Sequence, residues 1–243
     1  MCSNGAKSCY HLISHTQAAV SMQHVGAPRE ALNCLFMTLQ EAVQYVRTGY
    51  GDSKGFYGIW QGNGAGPAIW AVISTPLLNM LRNKGYGCKF IFPLSSKYVQ
   101  FVGYAFVDDT DILQSSLNNC PTTALQMLQQ AIDTWELSSK PTCRAVVPKK
   151  TVWWLVSFIW EGNSWRYASL QDSSGDLLLN DITGTRKTIK RLAANQAHET
   201  LGAFLAPDGN LEAQFLKMKK MWQLHGQMLC AQDRPALGHR IIN

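Results

Sequence analysis

Val99-Gln-Phe-Val-Gly-Tyr-Ala-Phe-Val-Asp-Asp-Thr-Asp-Ile-Leu113 is the stretch on which the reading of the fold turns. Val99 to Val107 is rich in β-branched and aromatic residues, the composition of a strand. Asp108-Asp109 interrupts it and Ile112-Leu113 resumes, so the segment predicts a β-hairpin with two acids at its turn. Adjacent carboxylates with apolar flanks repel each other and are poorly solvated. One reading is a wet turn, where Asp is common. The other is a site for a hard cation such as magnesium, which takes one or two carboxylates together with substrate phosphates. A calcium loop beginning at Asp109-x-Asp111 is excluded, because its glycine and distal glutamate are missing.

Upstream, apolar residues Leu32, Leu35, Phe36, Leu39, Val43 and Val46 recur at helical spacing after a break at Gly26-Ala27-Pro28. Two helices are therefore expected between Thr16 and Arg47, with a strand at Tyr45–Gly49 overlapping the end. Gln61-Gly62-Asn63-Gly64-Ala65-Gly66-Pro67 reads as a loop, and Pro67 opens a helix to about Asn83 with Trp70, Ile73, Leu77, Leu78 and Leu81 inward. Its glycines let a ligand approach the backbone, but neither the dinucleotide nor the P-loop fingerprint is met; a flexible turn is the alternative. Downstream, a helix is expected over Pro121–Glu136 and strands over Ala145–Val147 and Thr151–Trp160. Glu161-Gly162-Asn163 turns the chain back into Trp165-Arg166-Tyr167, and Leu211–Cys230 reads as helix. The fold class is mixed α/β of the α+β kind.

With 243 residues, 46% of them apolar, the chain can build one or two cores. Its longest aromatic-aliphatic run, Val152 to Trp160, is too short for a membrane span, which needs about 20 apolar residues. The first ten residues lack the layout of a secretory signal, and seven cysteines without a CxxC pair argue against disulfide or zinc frameworks. The expectation is an intracellular protein, of nucleus or cytoplasm, with no membrane partner. The net charge of +6 is unevenly spread. Residues 1–139 carry 8 basic and 8 acidic side chains, whereas residues 140–243 carry 14 and 8. Lys149-Lys150, Arg186-Lys187, Lys190-Arg191 and Lys217 with Lys219-Lys220 suit a polyanion or a solvated face. His11 and His15 lack a third ligand and read as incidental. The aromatic run Trp153, Trp154, Phe158, Trp160, Trp165, Tyr167 has two readings, base stacking or core and cross-strand pairs.

Taken in order, Gln-Gly-x-Gly-x-Gly-Pro opening a helix and, about 40 residues on, Phe106-Val107-Asp108-Asp109 resemble the palm of reverse transcriptases of the retrotransposon type. The resemblance implies RNA-directed DNA polymerisation, with RNA or DNA template-primer and dNTP as partners and magnesium, or manganese, as cofactor. It implies that Gln61, Gly62 and Pro67 lie against template and nucleotide, that Asp108 is a catalytic metal ligand, and that Asp109 is the less essential acid. Pro148-Lys149-Lys150-Thr151 resembles the family's Lys-Ser/Thr loop, with Lys150 serving the pyrophosphate leaving group, and Leu201-Gly202 resembles its primer-grip hairpin. The resemblance spans about residues 4 to 206. Asn4 to His11 has the frame of the first catalytic motif, with Tyr10 as the aromatic gate at the sugar, but Gly5 stands where a catalytic Asp belongs and His11 where a second acid often lies. The implied organisation is a palm over 1–206 without fingers, which another chain would supply, and a helical extension over 207–243 as a remnant thumb. Lys149, Arg186, Lys187, Lys190 and Arg191 are the implied nucleic-acid contacts, and the copy is expected to be inactive. The rival expectations are a non-catalytic nucleic-acid-binding module and an unrelated α/β domain whose glycine loop holds a small phosphate ligand.

Overall fold

A computed structural model gives the architecture and describes residues 1–5, 13–41, 46–48, 51–53, 64–106, 109–116, 118, 120–140, 147–181, 183–200 and 202–232. The chain divides into two compact units, Met1–Ala193 and Ala194–Asn243. In order, the first holds β1 (Cys2–Gly5), α1 (His15–His24), α2 (Arg29–Glu41), β2 (Val46–Thr48), β3 (Gly51–Ser53), α3 (Ala65–Asn83), β4 (Cys88–Ile91), β5 (Tyr98–Phe101), β6 (Gly103–Phe106), β7 (Asp109–Ile112) and α4 (Pro121–Ser139). A 3-10 turn at Pro148–Lys150 leads to β8 (Val152–Trp154), β9 (Phe158–Glu161), β10 (Ser164–Tyr167), β11 (Leu178–Asn180), β12 (Arg186–Thr188) and β13 (Lys190–Leu192). The second unit holds β14 (His198–Thr200), β15 (Ala203–Leu205) and α5 (Glu212–Gln232).

The central sheet has the order β13-β8-β1-β7-β6. β1 runs antiparallel to β7 and β8, β6 antiparallel to β7, and β13 parallel to β8. Apart from β13, the sheet follows the chain sequence strand, helices, strand, strand, helix, strand, and β1 lies between β8 and β7. This is the split β-α-β arrangement. The other strand pairs, β2-β3, β4-β5, β9-β10 and β11-β12, are separate antiparallel ribbons, and the whole is an α+β fold.

Helical spacing accounts for the covered face. Leu128, Ile132 and Trp135 recur at i, i+4 and i+7 on α4 and pack with Leu81 of α3 and with Cys2, Ile112 and Trp153 of the sheet. Each such side chain removed from water contributes about 1.5–3 kcal/mol before the entropy of ordering is counted. The N-terminal half of α3 serves a second cluster, where Ile69, Trp70 and Ile73 meet Ala18 of α1 and Leu32, Phe36 and Leu39 of α2. α3 stops at a Schellman motif: Tyr86 N–H donates to Leu81 O (3.1 Å) and Gly85 N–H to Arg82 O (2.9 Å). Gly85 takes the left-handed conformation that this motif needs, at φ 84°.

The helices stand where periodicity places them, on both sides of Gly26-Ala27-Pro28 and over 65–83, 121–139 and 212–232, and β2 falls within the strand expected at Tyr45–Gly49. Three strand expectations are corrected. Val99–Val107 is not one strand. It breaks at Val102, which turns into the core, and β5 leaves the sheet to pair with β4. Gly103 then lets β6 approach β7 so closely that a Cβ there would lie 2.0 Å from the Asp111 carbonyl oxygen. Asp109 is not a turn residue but the first residue of β7, paired with Phe106. Thr151–Trp160 likewise divides into β8, inside the sheet, and β9, in a ribbon with β10, because residues 155–157 carry the chain from one to the other. Of the strand expected at Ala145–Val147, only Val147 lies within the described residues, and it precedes the 3-10 turn without being in a strand.

In the second unit β14 and β15 pair with each other around Gly202, at φ 78°, and α5 packs on β15. Gln214 Oε1 accepts from Phe204 N–H at 2.8 Å, while Lys217 pairs with Glu199 and donates to Gly202 O at 2.6 Å. Residues 194–206 thus belong with α5, and the division lies upstream of the expected boundary at residue 206.

Candidate active site

The acids of the hairpin and the glycine of the first motif meet through strand pairing. β1 and β7 run in the register Cys2↔Ile112, Ser3↔Asp111, Asn4↔Thr110 and Gly5↔Asp109. Gly5 therefore faces Asp109 across one ladder position, and Phe106 faces Asp109 on the other side. The 3-10 turn Pro148–Lys150 packs beside β1, so the exposed Lys149 and Lys150 stand next to the strand that carries Gly5. Residues more than a hundred positions apart in sequence are gathered at one end of the sheet. Asp108, Tyr10, Gln61 and Gly62 lie outside the described residues, as does Leu201. Pro67 is exposed in the first turn of α3.

The basic residues separate into two groups. Lys149, Lys150, Lys187 and Lys190 are exposed. Arg186 is exposed but forms an ion pair with Asp133 of α4. Arg191 is taken up by the fold: its guanidinium lies 5.0 Å from the centre of the Trp153 ring, donates to Ser173 O, and has its pKa lowered by burial. Arg191 is therefore engaged within the fold, unlike the exposed lysines. The aromatic run also divides. Trp153 and Trp154 are core, while Phe158, Trp160, Trp165 and Tyr167 pair across the β9-β10 ribbon and stay solvent-exposed.

Strand pairing adds Asp111 to the acids of this hairpin. Residues two apart on a strand share a face, so Asp109 and Asp111 point the same way, with Ser3 and Tyr104 as the cross-strand neighbours of Asp111. Thr110 and Ile112 point to the face that α3 and α4 cover. Asp111 is only 1% exposed, and neither of its carboxylate oxygens accepts a well-aligned hydrogen bond. Burial raises the pKa of the Tyr104 phenol, and its hydrogen bond to Asp111 and the charge of Asp111 raise it further. Burial, together with the charge of Asp111, also pushes the Cys2 thiol up to about 12, against the opposing effect of the chain's amino terminus. The signal that would have found Asp111 was the alternation Asp109-x-Asp111, had the strand been started at Asp109.

The donors on this face are oxygens, which suits magnesium or manganese. Among the described residues no three His, Cys, Asp or Glu side chains converge on one point, and Gly5 supplies no donor where a β1 carboxylate would complete the set. The Asp111 oxygens are enclosed, with the Tyr104 hydroxyl and the charge of the Met1 amino terminus acting on them, and offer no open coordination position. A cavity of about 800 Å³ lies at the opposite end of the sheet from Asp109, lined by Leu113, Leu128, Trp153, Trp154, Phe158 and Trp165. No protein-family model matches the chain, and no curated protein matches it. No helix among the described residues is long and apolar enough to cross a membrane.

Proposed function

We propose that the chain is a reverse-transcriptase-type palm that holds a primer-template duplex without extending it. The observation that supports this reading is the register Gly5↔Asp109, in which the segment resembling the first catalytic motif and the aromatic-x-Asp-Asp hairpin lie on neighbouring strands. The split β-α-β order and the Lys149-Lys150 turn beside β1 support it further. In two-metal phosphoryl transfer, carboxylates from two strands converge so that the ions stabilise the attacking and leaving oxygens. Here Asp108 and Asp109 would hold such an ion from the hairpin, and Gly5 offers nothing from β1. Losing one electrostatic element of this kind costs about 4 kcal/mol, a rate loss of roughly a thousandfold.

What remains available to this chain is binding. Lys149 and Lys150 neutralise phosphates of the duplex near the hairpin, and Lys187 and Lys190 add exposed positive charge. The test is fluorescence anisotropy of a labelled primer-template against salt, with primer extension assayed in parallel. The expected result is weak binding without sequence preference, a linear fall of log affinity with log salt, and no extension with magnesium or manganese. Lys149→Ala/Lys150→Ala should flatten the slope by about 0.7–0.9 for each phosphate that is no longer neutralised. An unchanged slope, or robust extension by the natural chain, would overturn the reading.

A further inference from the structure

The cavity of about 800 Å³ in the first unit has apolar walls, formed by Leu113, Leu125, Leu155, Phe158, Ile159 and Trp165 among others. Among the described residues no Lys, Arg or His lines it, and its one carboxylate, Asp172, is held by Arg166. Gln114 accepts from the Gly87 N–H at 2.8 Å, and the Ser116 hydroxyl accepts from the Cys120 N–H at 3.3 Å, so both are taken up within the fold. A space of this size with few polar groups is of the kind that holds a small ligand. These walls select one that is neutral and apolar, because an anion would lose its water without meeting a cation.

One group on the wall can also react. Cys120 stands at the N-cap of α4, with its Sγ 3.0 Å from Thr122 Oγ1. The hydroxyls of Thr122 and Thr123, with the Thr123 amide, hold its pKa down to about 6, and a thiolate is the nucleophilic form of cysteine. Cys88 of β4 also lines the cavity, whereas Cys34 of α2 lies outside it.

We propose that the cavity captures neutral, apolar α,β-unsaturated aldehydes, the alkyl chain lying against the apolar walls and Cys120 forming the covalent bond. The Sγ lone pair makes an S–C bond at the β-carbon, and the C=C π pair moves onto the carbonyl oxygen as an enolate. The proton that the thiol released to water returns at the α-carbon. Nothing is oxidised or reduced, and no co-reactant beyond water is needed. The walls supply the binding and the start of α4 supplies the nucleophile, so neither alone makes the site. It lies at the opposite end of the sheet from Asp109 and does not depend on the palm reading.

The experiment treats the full-length chain with trans-2-nonenal or with crotonaldehyde, which carry the same reactive group on a long and a short chain, and follows adducts by intact-protein and peptide mass spectrometry. N-acetylcysteine is the free-thiol reference. Cys120 should be modified first. Its preference for nonenal over crotonaldehyde should exceed that of N-acetylcysteine by about tenfold or more, since each methylene fully buried is worth about fourfold. At pH 6 about half of Cys120 is thiolate, against roughly 0.3 per cent of an ordinary thiol, and the lower nucleophilicity of the more acidic thiol reduces this to an advantage of about tenfold in crotonaldehyde rate. Cys120→Ser keeps a residue suited to the N-cap, should fold as judged by circular dichroism, and should lose the adduct. Phe158→Ala, at an exposed position of the wall, should lower the nonenal rate more than the crotonaldehyde rate. The proposal is overturned if the chain-length preference equals that of N-acetylcysteine, if Cys34 or Cys88 is modified ahead of Cys120, if folded Cys120→Ser takes up nonenal as fast as the natural chain, or if folded Phe158→Ala keeps the full preference.

Discussion

The hairpins β6-β7 and β9-β10 are built alike, from four-residue strands with two residues between them, yet they dispose of their side chains in opposite ways. The first carries acids and encloses them, with Asp111 1% exposed. The second carries Phe158, Trp160, Trp165 and Tyr167 on one face and leaves them in solvent, with Trp160 and Trp165 57% and 65% exposed. Residue type alone would assign the opposite. Position in the sheet decides: β7 lies between β1 and β6, whereas β9-β10 has no third strand among the described residues. The exposed ribbon is held by its own cross-strand pairs, Phe158 with Tyr167 at 4.7 Å between ring centres and Trp160 with Trp165 edge-on at 5.2 Å. Gly162 and Asn163 close it at φ 57° and 68°, the doubly left-handed turn that matches strand twist.

If sheet position outweighs residue type, the largest loss comes from an aromatic inside the sheet. Trp153→Ala on β8 removes a fully buried ring whose Nε1 donates to Ile189 O at 3.3 Å and on which Arg191 rests. It should cost about 3–5 kcal/mol in urea unfolding. The contrast fails if Trp165→Ala costs as much.

A smaller effect is expected for the ribbon. Trp160→Ala/Trp165→Ala should cost about 0.5–1.5 kcal/mol, the value of one aromatic pair, and should leave the far-ultraviolet circular dichroism of the helices unchanged. A cost comparable to that of Trp153→Ala would mean that the ribbon face is covered in solution.

The smallest effect sharpens the comparison from the polar side of the same ribbon. Arg166 of β10 bridges Glu161 and Asp172, with Nη1 2.7 Å from Asp172 Oδ2. The guanidinium, with the hydroxyl and amide of Ser169, holds the Asp172 carboxyl well below the usual carboxylate range. A carboxyl depressed on folding stabilises the fold above its unfolded pKa, and that contribution disappears as pH falls through the folded value. Asp172→Asn should therefore shift the urea midpoint slightly at pH 7 and flatten its decline between about pH 4 and 2, and the two proteins should converge at the acid end. A shift in Asp172→Asn that stays constant with pH would show that the loop is held by geometry and not by charge.

What was legible in the sequence was local. Helices at 65–83 and 121–139 follow from apolar spacing and their bounding residues, Gly85 and Pro121, because a helix satisfies its own backbone within four residues. The turn at Gly162-Asn163 follows from the conformations those residues tolerate. Asp108-Asp109 marked the hairpin because two acids interrupt a β-branched run. Strand partners were not legible, since a strand's hydrogen bonds go to a segment that its own residues do not name. Only the folded chain sets Gly5 opposite Asp109, divides Val99–Val107 at Val102, draws Arg191 onto Trp153 and encloses Asp111. Each depends on residues far apart in sequence meeting in the fold, where burial and register are decided together.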